Sequence, residues 1–389
     1  FINGSVWAFW LTSATIDTFV GNDDSHPKLF SFTKVSAMMN SNKSADKIKS
    51  LIDAFDHLGQ QLNKYVNKQA TNHEAAAILD EATQAAQVQN PWFTKDNINT
   101  AVVNWAALLQ RDILTNWISP YQQVKWTDDV VGLVLAGNLP LVGLHDLICV
   151  LLSGHKAVVK LSSKDKVLIP ALIRILQHSF AEINERVQFV NDRLGQVNKV
   201  IATGSNNSSR YFSYYFKDIP HIIRKNRNSV AVLTGEETEE QLAGLADDIC
   251  LYFGLGCRSV SKIWVPEGYD FDILFGALFR HRDIINHNGY ANNYDYNKAI
   301  FLMNQEAILD NGFVILKEDE RISSPIACLY YSYYKDRLEV DRLISSNRED
   351  IQCIVSTTGN NTVLPGKAQC PQLNDYADNI DTMEVLLKS

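Results

Sequence analysis

The sequence predicts an α/β protein in which a doubly wound parallel sheet follows a layer of helices. Before residue 117, apolar residues recur at three- and four-residue spacing, which is typical of one buried helix face. After it, short and continuously apolar runs alternate with helical segments, as expected of parallel strands that are buried on both faces. The 389 residues are also enough for two or three domains.

The N-terminal part combines an irregular segment with regular helices. Residues 1–37 mix aromatic and polar residues in no clear period, and a helical pattern starts only after Met38 and Met39. We therefore predict that residues 1–37 are a non-native or disordered extension. Residues 38–120 are predicted to be helical, with Leu51, Phe55 and Leu58 on one face. We expect a helical cap or subunit-contact layer here, without chemistry of its own.

The middle of the chain carries the signature of βαβ units. The predicted strands cover residues 130–136, 157–161, 187–190, 199–202 and 229–233. We expect all of them in one sheet, with right-handed crossovers and a ligand at the carboxyl ends of the strands. The predicted domains are a nucleotide-binding domain at 121–254, a catalytic domain at 255–355, and a segment at 356–389 that completes the fold or a subunit contact.

Composition excludes several classes of protein. The formal net charge of −8 argues against nucleic-acid binding, which needs a basic surface. Six cysteines without a C-x-x-C pair suggest neither a zinc site nor a disulfide framework, so we expect no metal and a reducing cytoplasm. No run of 18 apolar residues occurs, so no membrane-spanning helix is expected.

Cys257 is the candidate nucleophile. It follows a helical pattern and two nearby glycines, Gly254 and Gly256, and it precedes an apolar run that is typical of a strand. A cysteine reacts as the thiolate, so we expect Arg258 and the Gly256 peptide to lower the pKa of the thiol. A plain structural cysteine is the alternative.

Polar residues follow two of the predicted strands. Asn138 comes after the first strand, and Gly204 and Ser205 come after another strand and open a helical segment. The free N–H groups at a helix N-terminus suit a phosphate. The alternatives are a turn former at Asn138 and a simple helix cap at Ser205. The usual G-x-G-x-x-G fingerprint is absent.

Four phrases in chain order carry a resemblance to a known family. They are Ala-Gly-Asn-Leu-Pro-Leu-Val-Gly-Leu-His-Asp at 136–146, Lys-Leu-Ser-Ser-Lys-Asp at 160–165, Arg-Asn-Ser-Val-Ala-Val at 227–232 and Phe-Gly-Leu-Gly-Cys-Arg-Ser-Val-Ser-Lys at 253–262. Together they resemble the acyl-CoA reductase family of the aldehyde dehydrogenase superfamily, which includes the fatty acyl-CoA reductase of bacterial bioluminescence. The likeness covers roughly residues 95–389.

The resemblance implies an aldehyde dehydrogenase-like fold and the reduction of an acyl-CoA, in the first place a fatty acyl-CoA, to its aldehyde. The alternatives are a coenzyme A-acylating dehydrogenase of short aldehydes and a non-catalytic homologue that acts as a binding protein. The likeness also implies self-association. It does not decide whether a separate acyl-transfer protein is a partner.

The resemblance also implies residue roles. Cys257 would attack the thioester carbonyl and carry the acyl group, and the Asn138 amide and the Cys257 N–H would stabilise the oxyanion. Lys160 corresponds to the lysine that reaches the adenosine ribose, and Gly204 and Ser205 correspond to the turn under the pyrophosphate. Without the resemblance, Lys160 would be a solvated lysine at a strand end.

Ser163 bears on the choice of cofactor. Many NAD-preferring relatives have an acidic residue at this position, whereas this chain has Ser163 with Lys164 beside it. The loss of a carboxylate and the gain of a cation favour a 2′-phosphate, so NADPH is the expected cofactor and NADH the alternative. Ser163 could instead be a helix cap.

Two departures from the family pattern and one charge run bear on these roles. Residues 222–229 replace the segment that holds the general-base glutamate of hydrolytic relatives, and they contain no carboxylate, which fits a reductase. Residues 321–325 align with the segment whose glutamate contacts the nicotinamide ribose, but Glu320 is one place off, so no ribose ligand is assigned. The charge run at Arg224, Lys225 and Arg227 is typical of a solvated surface, with a coenzyme A phosphate contact as the alternative.

Overall fold

The computed structural model describes residues 32–69, 73–121 and 124–388, with side chains from Lys43 onward except that of Asn206. The chain divides into a unit of residues 1–42 and a compact unit from Lys43 to the C-terminus. Most of the predicted extension, residues 1–31, lies outside the described residues, so its nature stays a prediction. The description below concerns the compact unit.

The predicted helical N-terminal region is present. Its helices are α1 (Phe32–Val66), α2 (His73–Gln89), α3 (Lys95–Leu108) and α4 (Arg111–Ile118). Leu51, Phe55 and Leu58 are buried on one face of α1, as their spacing predicts. The α3 helix begins where the Thr94 hydroxyl accepts a hydrogen bond from the Asn97 N–H.

The first sheet is entirely parallel, in the order β3-β2-β1-β4-β5. Its strands are β1 (Val130–Val134), β2 (Lys156–Lys160), β3 (Val187–Val190), β4 (Lys199–Thr203) and β5 (His221–Arg224). The connecting helices are α5 (Leu144–Leu152), α6 (Leu168–Gln177), α7 (Ile183–Arg186) and α8 (Asn206–Tyr215). The apolar runs become buried strands because helices cover the sheet.

The strand order reverses at β1, which pairs with β2 on one side and with β4 on the other. Connections that leave neighbouring strands in opposite directions open a crevice beyond their carboxyl ends, which is where doubly wound sheets bind ligands. Asn138 follows β1, and Gly204 and Ser205 follow β4. The topology therefore directs the predicted polar residues to one crevice.

A second sheet has the order β11-β6-β7-β10-β9-β8 and is parallel except for β8. Its strands are β6 (Asn228–Val232), β7 (Val260–Pro266), β8 (Leu309–Asp310), β9 (Ile315–Glu318), β10 (Cys328–Tyr334) and β11 (Ile351–Val355). Its helices are α9 (Glu239–Cys250), α10 (Phe271–Leu278), α11 (Asn288–Met303) and α12 (Arg337–Ser346).

The expectation that residues 229–233 join the first sheet is wrong, because β6 pairs with β7 and β11 in the second. The first sheet instead ends at β5, a strand that the sequence analysis did not predict. Periodicity identifies a buried strand but not its neighbours. The change of sheet falls in the short loop between Arg224 and Asn228.

The C-terminal segment packs back onto the first sheet. Its last helix is α13 (Thr382–Leu387), and Met383 and Leu386 belong to the same hydrophobic core as α5. The Lys199 ammonium donates to the carbonyl oxygens of Leu386, at 2.5 Å, and Lys388, at 2.6 Å. In the described residues, no helix is long and apolar enough to cross a membrane.

Candidate active site

A cavity of about 1200 Å³ lies at the carboxyl ends of β1, β4 and β5 and at the amino end of β6. It is lined by backbone and side chains of both sheets and by the loop before β10. The lining includes four of the predicted site residues, Asn138, Gly204, Ser205 and Cys257. These four residues, up to 119 positions apart in sequence from 138 to 257, thus share one space.

The segment just before Cys257 has an unusual backbone conformation. Tyr252, Phe253 and Gly254 have φ angles of 54°, 60° and 71°, all in the left-handed region. This conformation costs a residue other than glycine about 1–2 kcal/mol. Packing of Phe253 edge-on against Trp92, with ring centroids 5.2 Å apart, helps to hold it. Such strain ahead of the candidate nucleophile is typical of functional sites.

Arg258 does not lower the pKa of Cys257 below its usual value, so that expectation is wrong. Burial raises the pKa of the thiol, and this outweighs the opposing effect of the Arg258 guanidinium. Arg258 is engaged elsewhere, because its Nε donates to the Ala368 carbonyl at 2.5 Å. Burial therefore favours the thiol of Cys257 over its thiolate.

Asn138 is held against the nucleophile turn. Its Nδ2 donates to the Leu255 carbonyl at 2.9 Å, which ties the end of β1 to the residue two places before Cys257. Close packing supports this geometry, because a Cβ at Gly256 would lie only 3.0 Å from Leu139 Cδ1. The amide keeps a second N–H besides the one that donates to Leu255.

Gly204 and Ser205 form the N-terminus of α8 at the edge of the cavity. Ser205 is indeed a helix cap, since its hydroxyl accepts from the Ser208 N–H at 3.2 Å. A Cβ at Gly204 would lie 2.9 Å from Phe212 Cε2, so glycine allows the helix to pack closely. The α8 N-terminus directs a positive dipole end into the cavity.

Lys160 and Ser163 do not line the cavity. The Lys160 ammonium donates to the Asp192 carbonyl at 2.7 Å. Ser163 is exposed and is not a helix cap. The α6 helix begins only at Leu168, and the Leu168 N–H donates to the Asp165 carboxylate. Ser162 and Lys164 line the cavity instead. A tight turn at 162–165 determines which residues face inward, and the sequence pattern did not show that turn.

Arg224 is not on a solvated surface, in contrast to the expectation for its charge run. Its side chain is 6% exposed and lines the cavity, and Nη1 donates to both carboxylate oxygens of Asp146, at 2.6 and 2.5 Å. Nη2 donates to the Thr382 hydroxyl at 2.9 Å. The pair links β5, α5 and α13 beneath the cavity. Lys225 is exposed, as expected.

Sequence reasoning missed Asp378 as a residue of the site. This carboxylate lines the cavity, is 8% exposed and accepts from Arg227 Nε at 2.9 Å. Burial raises its pKa, although Arg227 and Arg224 act in the opposite direction. Its negative charge is one of the causes that raise the pKa of Cys257. Only its place in the family-like C-terminal tail was available as a signal.

Comparisons with known proteins bear on this geometry. The sequence model of the acyl-CoA reductase (LuxC) family matches residues 43–273, well over half of the chain. The chain belongs to the LuxC acyl-CoA reductase family. Its members are oxidoreductases that reduce acyl-CoA to aldehyde, so the predicted family and class of enzyme are confirmed. No curated relative matches the chain.

Several solved aldehyde dehydrogenases share the fold of this LuxC-family protein. The enzyme from Bacillus cereus, solved as an NAD+ complex, is 13% identical, with 83% of this chain and 73% of that chain covered and a TM-score of 0.55. The NAD-dependent enzyme from Sinorhizobium meliloti is 13% identical, with 83% and 76% covered and a TM-score of 0.55. KauB from Pseudomonas aeruginosa is 11% identical, with 82% and 77% covered and a TM-score of 0.54. The predicted aldehyde dehydrogenase-like fold is thereby confirmed.

Proposed function

We propose that this protein reduces a fatty acyl-CoA to its aldehyde with NADPH, through an acyl thioester on Cys257. The observation that carries the proposal is the shared cavity, which joins Cys257 and Asn138 to the N-terminus of α8. Cys257 would then accept the acyl group, Asn138 would donate a hydrogen bond to the oxyanion, and the α8 N-terminus would bind the cofactor phosphates in the same reaction. Self-association, an acyl-transfer partner and a cytoplasmic location stay predictions from the resemblance and composition.

The residues present fit a nicotinamide dinucleotide. The cavity is larger than a typical pocket of about 300–1000 Å³, as a dinucleotide and an acyl thioester together would require. The α8 N-terminus would hold the pyrophosphate and the Lys164 ammonium the 2′-phosphate of NADPH, and Lys164 forms no ion pair with any described residue. When bound, the nicotinamide would supply a hydride to the acyl carbon.

The chain itself supplies the acyl transfer. Cys257 Sγ bonds to the thioester carbon, the bond from that carbon to the coenzyme A sulfur breaks, and the thiol proton leaves with coenzyme A. The oxyanion would accept from the Cys257 N–H, which has no partner among the described residues, and from the second Asn138 N–H. One such donor is typically worth about 3 kcal/mol in the transition state.

The surroundings of Cys257 disfavour hydrolysis of the acyl-enzyme. The stretch from Arg224 to Asn228 lines the cavity with basic and amide side chains and no carboxylate. Water at this side would find no general base there, and the Asp378 carboxylate elsewhere in the cavity lining is paired with Arg227. The acyl group is therefore expected to await hydride or coenzyme A.

NADPH oxidation with acyl-CoAs of graded chain length tests the proposed reaction. We expect oxidation that depends on the acyl-CoA, forms the aldehyde, and is faster with long chains than with short ones. A preference for short chains and fast acylation of coenzyme A by aldehydes would favour the alternative dehydrogenase. A folded protein that is silent at every length would favour the binding protein.

Lys164 is the expected determinant of cofactor choice, since it lines the cavity where Lys160 does not. Replacement of Lys164 by alanine should raise the KM for NADPH about tenfold and leave the KM for NADH within about twofold, because only NADPH carries a 2′-phosphate. Steady-state kinetics with both cofactors measure this. Lys166→Ala is the matched control, because Lys166 is exposed and does not line this cavity. Equal effects of Lys164→Ala on both cofactors would contradict the assignment.

A further inference from the structure

Ser229 contacts the backbone of the nucleophile directly. It is the second residue of β6, and it is fully buried. Its hydroxyl donates to the Cys257 carbonyl at 3.0 Å, and its own N–H donates to the Ser259 carbonyl at 3.3 Å. Loss of the donor to this partly buried carbonyl would be costly, so the hydroxyl restrains the peptide after Cys257.

Cys353 in β11 holds the Ser229 hydroxyl in place. The Cys353 N–H donates to Ser229 Oγ at 3.2 Å, and the two side chains are 3.0 Å apart. A hydroxyl has one hydrogen, and the Cys257 carbonyl cannot donate, so that hydrogen belongs to the bond with Cys257. The Cys353 thiol, 3.0 Å from Ser229 Oγ, is the remaining partner of the hydroxyl. The bonding capacity of the hydroxyl is complete, and its orientation is fixed.

The peptide before Cys257 is restrained as well. Its oxygen, the Gly256 carbonyl, accepts from the Ser259 N–H at 3.0 Å. In a trans peptide the Cys257 N–H points away from that carbonyl. The bonds of Ser229 and Ser259 therefore fix both peptide planes around Cys257, and with them the directions of its N–H and its side chain.

We propose that Ser229, oriented by Cys353, is a positioning residue that aligns the Cys257 thiol and N–H for attack on an acyl carbonyl. The part played in acyl-CoA reduction rests on the proposed function, but the alignment itself is a property of Cys257. Ser229 does not line the cavity. It acts through the Cys257 backbone and touches no substrate.

Acylation by p-nitrophenyl acetate tests the alignment without coenzyme A or a reductant. Cys257 Sγ bonds to the acetyl carbon, the ester C–O bond breaks, p-nitrophenolate leaves and the thiol proton goes to solvent. For Ser229→Ala we expect a burst rate about tenfold below wild type, because small misplacements of reacting groups are costly. Alkylation of Cys257 by iodoacetamide forms no oxyanion. Its rate in Ser229→Ala should therefore stay within about threefold of the wild-type rate.

Ser356→Ala is the matched control. Ser356 is 1% exposed and follows β11, and its hydroxyl donates at 2.9 Å to the carbonyl of Val232, at the other end of β6 from Ser229. It should lose similar stability but keep the wild-type burst. If Ser229→Ala fails to fold, Ser229→Cys, with a weaker donor, should still slow the burst severalfold, and Ser229→Thr should restore it.

The proposal is overturned if the burst and the alkylation fall together in Ser229→Ala, or if Ser356→Ala slows the burst equally. It is also overturned if wild type gives no burst. A wild-type burst without acyl-CoA reduction would instead contradict the proposed function and leave the positioning role of Ser229 standing.

Discussion

Replacement of Cys257 by alanine should abolish NADPH oxidation with acyl-CoA, with a loss of at least about 1000-fold. Removal of a covalent nucleophile typically has an effect of this size or larger. No other described cysteine lines the cavity, so no second thiol can accept the acyl group there. The assay is initial-rate NADPH oxidation at saturating acyl-CoA.

The fold should survive this change, because the Cys257 thiol makes no hydrogen bond with any described residue. Cys250→Ala is the matched control, since Cys250 is a buried thiol of α9 that packs in the core of the second sheet. It should reduce stability more than activity. If Cys257→Ala kept more than about a tenth of the wild-type rate, the role of Cys257 as acyl carrier would be wrong.

Replacement of Asn138 by alanine should lower kcat by about 100-fold with little change in the KM for acyl-CoA. Loss of one oxyanion donor has an effect of about this size. Asn138→Asp is a sharper variant, because it keeps the volume but replaces the N–H donors by a carboxylate. Its charge would repel the oxyanion, so it should be at least as slow.

Both Asn138 variants lose the hydrogen bond to the Leu255 carbonyl, so stability needs its own control. Asn97→Ala provides it, because the buried Asn97 amide donates to the Trp92 carbonyl at 3.2 Å, in α3 and outside the cavity. Thermal unfolding and kcat should be measured for all three variants. A KM increase without a kcat decrease for Asn138→Ala would indicate ground-state binding and contradict the oxyanion role.

The sequence predicted the polar strand ends well because topology determines their position. Asn138, Gly204 and Ser205 each follow a buried strand, and strands around a switch point end at the same crevice. Backbone spacing alone therefore placed these residues near one another. Cys257 needed the resemblance, because a cysteine at a helix-to-strand junction has a structural alternative.

The other features of the site could not be predicted, because the periodicity of the sequence does not show which distant residues are in contact. The tight turn at residues 162–165 lies just after Lys160. It determines that Lys164, and not Lys160, lines the cavity. Arg224 appeared solvated because its partner Asp146 is 78 residues earlier in the chain. The raised pKa of Cys257 follows from its burial in the folded protein. Each depends on tertiary contacts between distant segments.

The mass of the protein after incubation with a long-chain acyl-CoA, without any nicotinamide cofactor, tests the central claim most directly. We predict a mass increase of one acyl group, located on the peptide that contains Cys257, reversed by added coenzyme A and absent in Cys257→Ala. An acyl group on another residue, or folded wild-type protein that gains no mass, would contradict the account.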